Sequence, residues 1–357
     1  MPHDSLLNPS SSYVCPLTRS QLRGDGQALR STAGGAVYPV QAGIPQFLRF
    51  GSAESEEGRI KLARLNALAL SHGWEAALRS VYGDEPGMLQ YVTQPERASF
   101  IHLLPLKPTS DVLEIGPGLG QFTPLFARRA RSVSALEVVS GQAEFVAQRC
   151  AQQGLTNVRV AAGGDDCRLP YPDASFDLVV LNLVFEWCAS RCPAENEADV
   201  QRRLLAEMAR VLRPGGSLYL ATKNRFAIKY LIGKSDEHSH GMRFGSALPR
   251  TLWRRLLRGR GHERPGGMLH SHAALKRMIE GAGFAPVRSF WATPEMRFPK
   301  HYVPTDAASV RAARRLPDFV QGEGRSARLL MQWVPAAWVK HLAPGLAFLA
   351  TKAARPS

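Results

Sequence analysis

The stretch DVLEIGPGLGQF at residues 111–122 decides the fold of this chain. A short apolar run enters glycines at alternate positions, Gly116, Gly118 and Gly120, and a helical pattern follows, which is typical of a strand, a tight loop and a helix. Glycines let the backbone approach a ligand closely. A dinucleotide site needs its third glycine where this chain has Gln121, so a pyrophosphate site is the weaker interpretation. The stretch therefore predicts a nucleotide-type pocket at the end of a strand.

Further apolar runs predict the rest of a parallel α/β sheet. They lie at residues 134–139, 158–162, 176–182 and 212–220. Glu137 stands about 20 residues after the glycines, where a carboxylate can meet ribose hydroxyls. Asp165 and Asp166 follow the run at 158–162, and Asn182 ends the run at 176–182. Because the carboxyl ends of parallel strands meet at one edge of a sheet, we expect these side chains to lie around the same pocket.

Residues 100–222 resemble the class I S-adenosylmethionine (SAM) methyltransferases. EIGPGLG at 114–120 resembles the first motif of that family. GDDCRLPYPDASFDLVV at 164–180 resembles the segment that holds adenine and then builds the fourth strand, and LRPGG at 212–216 resembles the family's turn after the fourth strand. The resemblance implies a Rossmann-like, seven-stranded α/β sheet with helices on both faces. It also implies SAM as the cofactor.

The same resemblance assigns the cofactor residues. Glu114 and the glycine loop would cradle the methionine part, Glu137 would hold the ribose diol, and Asp165 would accept a hydrogen bond from the adenine amine. The full predicted set is Glu114, Gly116, Gly118, Gly120, Glu137, Asp165, Asp166 and Asn182. For Asp166 a solvated turn at the strand end is the competing interpretation. The chemistry agrees, because a diol donates two hydrogen bonds to one acid.

Composition limits the classes of function. The chain has 357 residues, 45% of them hydrophobic, and no apolar run long enough to span a membrane. It shows no secretory signal, so we expect a cytoplasmic protein. Five scattered cysteines predict neither a disulfide framework nor a metal site. The net charge of +15 indicates an anionic partner, such as a nucleic acid, a membrane surface or a phosphorylated substrate, or else a genome-wide bias towards Arg and Ala.

Three domains are predicted. Residues 1–50 begin with a loose tail over 1–12 and then form a small strand-rich unit that resembles the Trm112-like or zinc-ribbon-like modules in YVCPLT at 13–18 and VYPVQAGIPQFL at 37–48. Thr18 stands where the second metal cysteine would be, and one thiolate cannot complete a zinc site, so we expect a metal-free module. Residues 51–104 predict a helical linker or cap. Residues 105–357 predict the methyltransferase domain, with insertions at about 223–272 and 294–344.

The acceptor residues are harder to identify. Asn182 is followed by Leu183 and Val184 instead of prolines, so the turn used by amino-group methylases of nucleobases is absent. Glu186 is a candidate for polarising an acceptor, and its competing role is a carboxylate at a helix start. The histidines of the first insertion are candidate general bases because their pKa lies near working pH. They are His238, His240, His270 and His272, and we take His238 with Glu186 and Asn182 as the catalytic set.

The insertions predict further contacts. Residues 242–265 contain seven arginines against the single Glu263. With Trp253, this segment could be a cationic lid, a solvated helix face, a membrane-surface helix or a site for single-stranded RNA. Asp236, His238 and His240 could bind a metal, although a flexible polar loop is the simpler interpretation. In the second insertion we expect Trp333 and Trp338 to pack internally.

The sequence thus predicts methyl transfer from SAM to an oxygen or nitrogen atom of a small-molecule, sugar-linked or lipid-linked acceptor. An RNA (rRNA or tRNA) base methyltransferase is the alternative, and a SAM-binding protein without catalysis is the second alternative. Peripheral contact with a membrane and contact with nucleic acid both stay open. The oligomeric state is not predicted.

Overall fold

The computed structural model describes residues 12–52, 54–192, 194–320 and 324–354. The predicted tail lies, apart from residue 12, outside the described residues. Two sheets are present. The small sheet has the order β1-β2-β3-β4 and the large sheet the order β11-β10-β12-β9-β8-β5-β6-β7. The strands are β1 (Leu22–Gly24), β2 (Ala28–Ser31), β3 (Val37–Gln41), β4 (Ile44–Pro45), β5 (Asp111–Ile115), β6 (Ser132–Glu137), β7 (Val158–Ala162), β8 (Phe176–Asn182), β9 (Leu212–Lys223), β10 (Phe284–Thr293), β11 (His301–Pro304) and β12 (Gly345–Lys352).

Helices connect the strands of the large sheet and cover it. They are α1 (Glu56–His72), α2 (Trp74–Tyr82), α3 (Pro86–Thr93), α4 (Thr123–Ala127), α5 (Ser140–Gln152), α6 (Glu197–Val211), α7 (Ile228–Leu231), α8 (Arg250–Gly259), α9 (His272–Gly281), α10 (Ala307–Ala313), α11 (Arg325–Trp333) and α12 (Val339–Leu342). Several helices begin at a polar side chain that accepts a hydrogen bond from an amide of the first turn, as at Ser55, Asn196, Ser271 and Asp306.

The order of the large sheet follows from its connections. Strands β5 to β9 run parallel to one another, and β12 inserts between β9 and β10, antiparallel to both. Every residue of β5 is buried, as expected for a strand covered by helices on both faces. The predicted Rossmann-like sheet is therefore confirmed. The second insertion adds β11 as an eighth, edge strand.

The small N-terminal sheet packs against the edge of the large sheet. Gln46 forms a parallel bridge with Ala162 at the end of β7, and the Phe47 amide donates to the Ala162 carbonyl at 2.6 Å. The Phe47 ring packs against Tyr13 and Tyr38. The thiol of Cys15 lies 3.1 Å from the Tyr38 hydroxyl, which makes it part of this aromatic core.

Trp253, in the first insertion, was a candidate for contact with a membrane surface or with single-stranded RNA, and the structure contradicts this role. The side chain is 1% exposed and packs with Met242, Leu257 and Met268 in a separate small core. Its indole nitrogen donates to the Ser239 hydroxyl at 2.9 Å. Because the ring is enclosed, it is unavailable to a membrane or to a nucleic-acid base.

Trp333 and Trp338 were expected to pack internally, and this prediction is wrong. The two side chains are 81% and 61% exposed. In α11 the inward positions are taken by Ala327 and Met331, which leaves the tryptophan on the outer face. Within the described ranges, no helix combines the length and the apolar character needed to cross a bilayer.

Candidate active site

A cavity of about 380 Å³ lies at the carboxyl ends of β5, β6 and β8. This volume is within the range usual for small-molecule sites. Its walls come from the glycine loop, from the ends of β6 and β8, from helix α3 of the cap and from the loop after β8. The polar and aromatic members of the lining include Tyr91, Gln121, Glu137, Gln142, Asp165, Asn182, Trp187 and Arg191.

The glycine loop requires glycine for two separate reasons. Gly116, Gly118 and Gly120 all have positive φ, at 71°, 58° and 70°. A Cβ on Gly116 would lie 2.4 Å from a methyl group of Val184, so this glycine allows the strand end to approach the next loop. A Cβ on Gly118 would meet only the Gln121 side chain, at 3.6 Å. Since Gly118 lines the cavity, the open space beside it suits a ligand that approaches the backbone.

Glu137 is the acid at the end of β6 and lines the cavity. The carboxylate is 4% exposed and accepts hydrogen bonds from the amides of Gly118, Val138 and Val139, at 2.9, 2.8 and 3.1 Å. Burial raises the pKa of Glu137 to about 7 against the effect of these amides. The acid thus joins the loop to the end of β6, at the position predicted for a contact with ribose.

Glu114 was predicted to contact the methionine part of the cofactor, but its side chain lies outside the cavity lining. It is 3% exposed, is not among the lining residues, and accepts a hydrogen bond from the Thr123 hydroxyl at 2.6 Å. Burial raises the pKa of Glu114 to about 7. Its side chain therefore connects β5 to the first residue of α4 and acts on the loop indirectly. Gly120 is also outside the lining, because it faces Val146 of α5.

The acids after β7 have distinct surroundings. Asp165 lines the cavity, and both its oxygens accept from the Arg49 amide at 3.0 Å, while Oδ2 also accepts from the Phe50 amide at 2.6 Å. Asp166 is 4% exposed and pairs with Arg168 at 2.7 Å and with Arg49 at 3.7 Å. The interpretation of Asp166 as a solvated turn is therefore wrong. It lies outside the cavity lining, in an ion-pair cluster.

Asn182, at the end of β8, offers the cavity a hydrogen-bond acceptor that a ligand can use. The residue lines the cavity, and its buried Oδ1 has no hydrogen-bond partner within the described ranges. Buried acceptors in folded proteins are normally satisfied. An unsatisfied acceptor beside open glycine backbone and a buried acid fits a ligand that carries hydroxyl or amine donors, as an adenosyl group does.

Glu186 is buried just beyond the cavity. It is 1% exposed, its Oε2 accepts from the Thr222 hydroxyl at 2.8 Å, and its Oε1 has no hydrogen-bond partner in the described part of the chain. The following residue, Trp187, lines the cavity and stacks on the His238 ring at 4.6 Å between centroids. Trp187 therefore lies between the cofactor cavity and the first insertion. No sequence pattern assigned a role to Trp187.

His238 belongs to a hydrogen-bonded pair with Asp236. Its Nδ1 lies 3.0 Å from Oδ1 of Asp236, and its buried Nε2 has no hydrogen-bond partner among the residues that the structure describes. Burial opposes ionisation of Asp236, but hydrogen bonds from His238, Ser239 and Ser246 lower its pKa to about 2. An ionised Asp236 can only accept, so Nδ1 of His238 must donate to it. In the neutral ring, Nε2 is then an acceptor.

The other candidate histidines have structural contacts. The Nε2 atoms of His240, His270 and His272 lie within hydrogen-bond distance of the Arg264 carbonyl, Gln201 Oε1 and the Ser289 hydroxyl, at 2.9, 2.6 and 2.9 Å. Burial lowers the pKa of His270 and His272 to about 4. Among these four histidines, all of them in the described part of the chain, only His238 has a buried ring nitrogen without a partner.

Lys223 is a residue that the sequence analysis did not select. It ends β9, is 5% exposed and forms an ion pair with Glu237. Burial, together with the charges of Arg297 and Lys229, lowers its pKa to about 8. Oε1 of Glu237 also lies 3.9 Å from Nε2 of His238. A group of titratable side chains thus surrounds the buried histidine. No group of three or more His, Cys, Asp or Glu residues in the described ranges is arranged to hold a metal ion.

Comparison with known protein families gives one domain match. Residues 113–220 match the model of a methyltransferase domain. Among curated proteins, the chain is 33% identical over 219 residues to the biotin biosynthesis bifunctional protein BioHC of Cellvibrio japonicus, covering 61% of this chain and 39% of that protein. It is 31% identical over 157 residues to the malonyl-[acyl-carrier protein] O-methyltransferase of Serratia marcescens, covering 44% and 55%. The chain thus spans only about half the length of these relatives.

Solved structures are similar at lower identity. The YcgJ protein from Bacillus subtilis is 16% identical, with a TM-score of 0.43, over 72% of this chain and 98% of that chain. A SAM-dependent methyltransferase from Aquifex aeolicus is 14% identical, with a TM-score of 0.40, over 78% and 98%.

Proposed function

We propose that this chain, which carries a class I SAM-dependent methyltransferase domain, transfers a methyl group from SAM to a hydroxyl oxygen of a small-molecule or lipid-linked acceptor. The observation that carries the proposal is Nε2 of His238, which has no hydrogen-bond partner among the described residues, is oriented by Asp236 and belongs to a ring that stacks on Trp187 of the cavity wall. The relatives named as O-methyltransferases also support oxygen as the acceptor atom.

The cavity residues would hold the cofactor as follows. Glu137 would accept from the ribose hydroxyls, the glycine loop would offer its backbone to the methionine part, and Asn182 Oδ1 would take a donor of the ligand. Asp165 would contribute to the adenine end through Oδ1, because Oδ2 is already engaged by two amides. When bound, SAM supplies a methyl group that is already activated on a sulfonium.

The protein's own part in the reaction is to orient the acceptor and to remove its proton. Nε2 of His238 takes the proton of the acceptor hydroxyl, and the resulting positive charge is stabilised by Asp236, which holds Nδ1 at 3.0 Å. Oε1 of Glu186 is a further unpartnered acceptor among the described residues of this region, and it is suited to accept a hydrogen bond from a second donor group of the acceptor, because the single proton of the reacting hydroxyl goes to His238. Glu237, whose side chain is 39% exposed, lies 3.9 Å from Nε2 and places the base close to the surface.

The His238→Asn variant tests whether His238 is the general base. Asparagine keeps a nitrogen donor near the position of Nδ1, so the contact with Asp236 is retained while Nε2 is lost. The acceptor is first found by incubating the protein with methyl-tritiated SAM and a fractionated cell extract. We then expect kcat to fall by about 10²- to 10⁴-fold, with SAM binding unchanged in calorimetry.

His240→Asn is the matched control, because His240 is exposed and its ring contacts a backbone carbonyl. It should leave kcat and SAM binding unchanged. A His238→Asn enzyme that retains kcat within about threefold would overturn the assignment of the base. Label in an RNA fraction would favour the RNA alternative, and SAM binding without label in any fraction would favour a non-catalytic SAM-binding protein.

A further inference from the structure

Helix α11 exposes its more apolar side to solvent. Leu329, Leu330 and Trp333 share one face of the helix, at exposures of 60%, 42% and 81%. The inward positions are held by Ala327 and Met331. A surface helix normally does the reverse and packs its larger apolar side chains on the core. This face therefore lacks the protein partner that its side chains would suit within the described chain.

Neighbouring elements extend this face. Helix α7 packs against α11, and Leu231 with the adjacent Ile232 is 42% and 37% exposed. Trp338, in the short 3₁₀ helix that follows α11, is 61% exposed. We call this set the apolar patch, and it consists of Leu231, Ile232, Leu329, Leu330, Trp333 and Trp338. Single exposed apolar side chains are normal, but a cluster of this size on adjoining helices marks an interaction site.

The border of the apolar patch is cationic. Lys234 and Arg325 are exposed beside it in sequence, Arg243 is exposed next to Phe244, whose ring lies against Gly233, and Lys229 and Lys340 are half-buried. Residues 324–352 contain no acid, and residues 225–260 contain only Asp236 and Glu237. Asp236 is buried against His238, and Glu237 is paired with Lys223 and Arg297. The charge that the patch presents is therefore positive.

The chemistry of the patch distinguishes between occupants. A second copy of this chain would bring two cationic borders together, which is unfavourable. A single-stranded nucleic acid would use aromatic rings for stacking, but four of the six side chains are aliphatic, and Trp253 is buried. Leucine and isoleucine beside tryptophan, with a border of Lys and Arg, match the boundary between the acyl chains and the anionic headgroups of a bilayer.

The patch also lies at the working edge of the large sheet. Helix α7 follows the carboxyl end of β9, where Lys223 and Glu237 meet, and α12 is tied to that end by the Asn224 side chain, which donates to the His341 carbonyl at 2.9 Å. We propose that the apolar patch docks this protein on an anionic lipid surface. Resting on the proposed function, this inference makes the acceptor a hydroxyl of a lipid-linked molecule that reaches the site from the membrane.

The experiment is flotation of the full chain with liposomes. Vesicles of phosphatidylcholine with phosphatidylglycerol are compared with vesicles of phosphatidylcholine alone, each at low and high NaCl. We expect retention on the anionic vesicles that weakens with salt. The Leu330→Ser/Trp333→Ser double variant should bind at least about tenfold less, because it removes the apolar contact. The Lys234→Glu/Arg243→Glu variant should lose the dependence on anionic lipid.

Leu70→Ser is the matched control, because Leu70 is a 71% exposed leucine on α1, away from the patch. It should float like the native chain, and thermal unfolding should show that all variants are folded. No retention on anionic vesicles, or equal retention of the Leu330→Ser/Trp333→Ser variant, overturns the proposal. A native chain that dimerises in light scattering through this patch, or binds RNA in place of vesicles, also overturns it.

The two proposals fail separately. The patch variants should bind SAM like the native chain in calorimetry, since none of the substituted residues lines the cofactor cavity. If His238→Asn leaves kcat unchanged while flotation behaves as expected, the base is refuted and the docking surface stands. If flotation fails while His238→Asn abolishes turnover, the methyl transfer stands and the lipid surface is refuted.

Discussion

Glu114 and Glu137 are buried acids on neighbouring parallel strands, and each has its pKa raised to about 7. In the unfolded chain a glutamate titrates near 4.5. Because ionisation is disfavoured in the folded chain, the acids stabilise the fold fully below about pH 4.5, and this contribution is lost as the pH rises to about 7. The cost of keeping Glu114 ionised at pH 8 is on the order of 3 kcal/mol.

The first prediction concerns Glu114→Gln. The variant keeps an acceptor for the Thr123 hydroxyl but cannot ionise, so we expect a higher free energy of unfolding than the native chain at pH 8, by up to about 3 kcal/mol. Below pH 4.5 the two should differ little. Urea unfolding from pH 4 to pH 8 measures the effect. Thr123→Val should lower the free energy of unfolding at pH 8, since it removes a hydrogen bond that lowers the pKa of Glu114 and so stabilises its ionised form. Equal stability curves for the native and Gln variants would refute the assigned pKa.

The second prediction concerns the cofactor contacts. We expect Glu137→Ala and Gly118→Val each to abolish SAM binding in calorimetry, the first by removing the acid that lines the cavity and the second by placing a β-branched side chain at φ of 58° beside the cavity. Gly154→Val is the matched control, because Gly154 also has a positive φ, of 69°, but lies outside the cavity. It should lower stability and leave SAM affinity intact. Normal SAM titration by either cavity variant would show that the cofactor lies elsewhere.

At the scale of elements, residues 46–52 join the N-terminal sheet to the cofactor side of the large sheet. The Ser52 hydroxyl accepts from the Ser140 amide at 2.9 Å, and the Arg191 guanidinium donates to the Gly51 carbonyl at 2.8 Å. Asp165 completes the connection through the amides of Arg49 and Phe50. The segment thus fixes one wall of the cavity, and the position of Asp165 depends on a module more than 100 residues earlier in the chain.

The third prediction tests this connection with Asp165→Asn. The amide has one acceptor oxygen and no charge, so the contact with the two backbone amides should weaken by about 1–3 kcal/mol. We expect faster hydrogen exchange at Arg49 and Phe50, together with weaker SAM binding. Asp199→Asn, which alters an exposed ion pair with Arg202, should change neither. Unchanged exchange at residues 46–50 in the Asp165 variant would contradict the proposed connection.

The sequence predicted the strands well because fully buried parallel strands are continuous apolar runs bounded by turn residues, as in β5 and β8. It placed Glu137 and Asn182 at the cavity because strand ends share one edge. It could not place Asp165 against Arg49, nor Asp236 against His238 and Ser246, because those contacts arise from tertiary packing of loops. Trp253 and Trp333 lie on similar basic helices, and only the neighbours of each helix decide that one ring is buried and the other exposed.

On the scale of the whole molecule, the cofactor cavity is assembled from three parts of the chain. The large sheet supplies the glycine loop and the acids, the N-terminal sheet holds Asp165, and the cap supplies Met88, Tyr91 and Val92 of α3. The cap is fixed by α1, which packs on α5, and by the Asn66 side chain, which donates to the Gly141 carbonyl at 2.9 Å. Cofactor affinity should therefore depend on how closely α1 and α5 approach.

The fourth prediction follows from Gly141. A Cβ at this position would lie 2.9 Å from Cβ of Leu62, which cannot move without shifting α1. In an unobstructed helix, Gly→Ala stabilises by about 1 kcal/mol. Here we expect Gly141→Ala to lower the melting temperature and to weaken SAM binding, because the cap residues that line the cavity move with α1. Gly281→Ala, at the open end of α9, is the matched control and should be neutral or stabilising. A stabilised Gly141→Ala chain with native SAM affinity would mean that the cap adjusts freely and does not set the dimensions of the cavity.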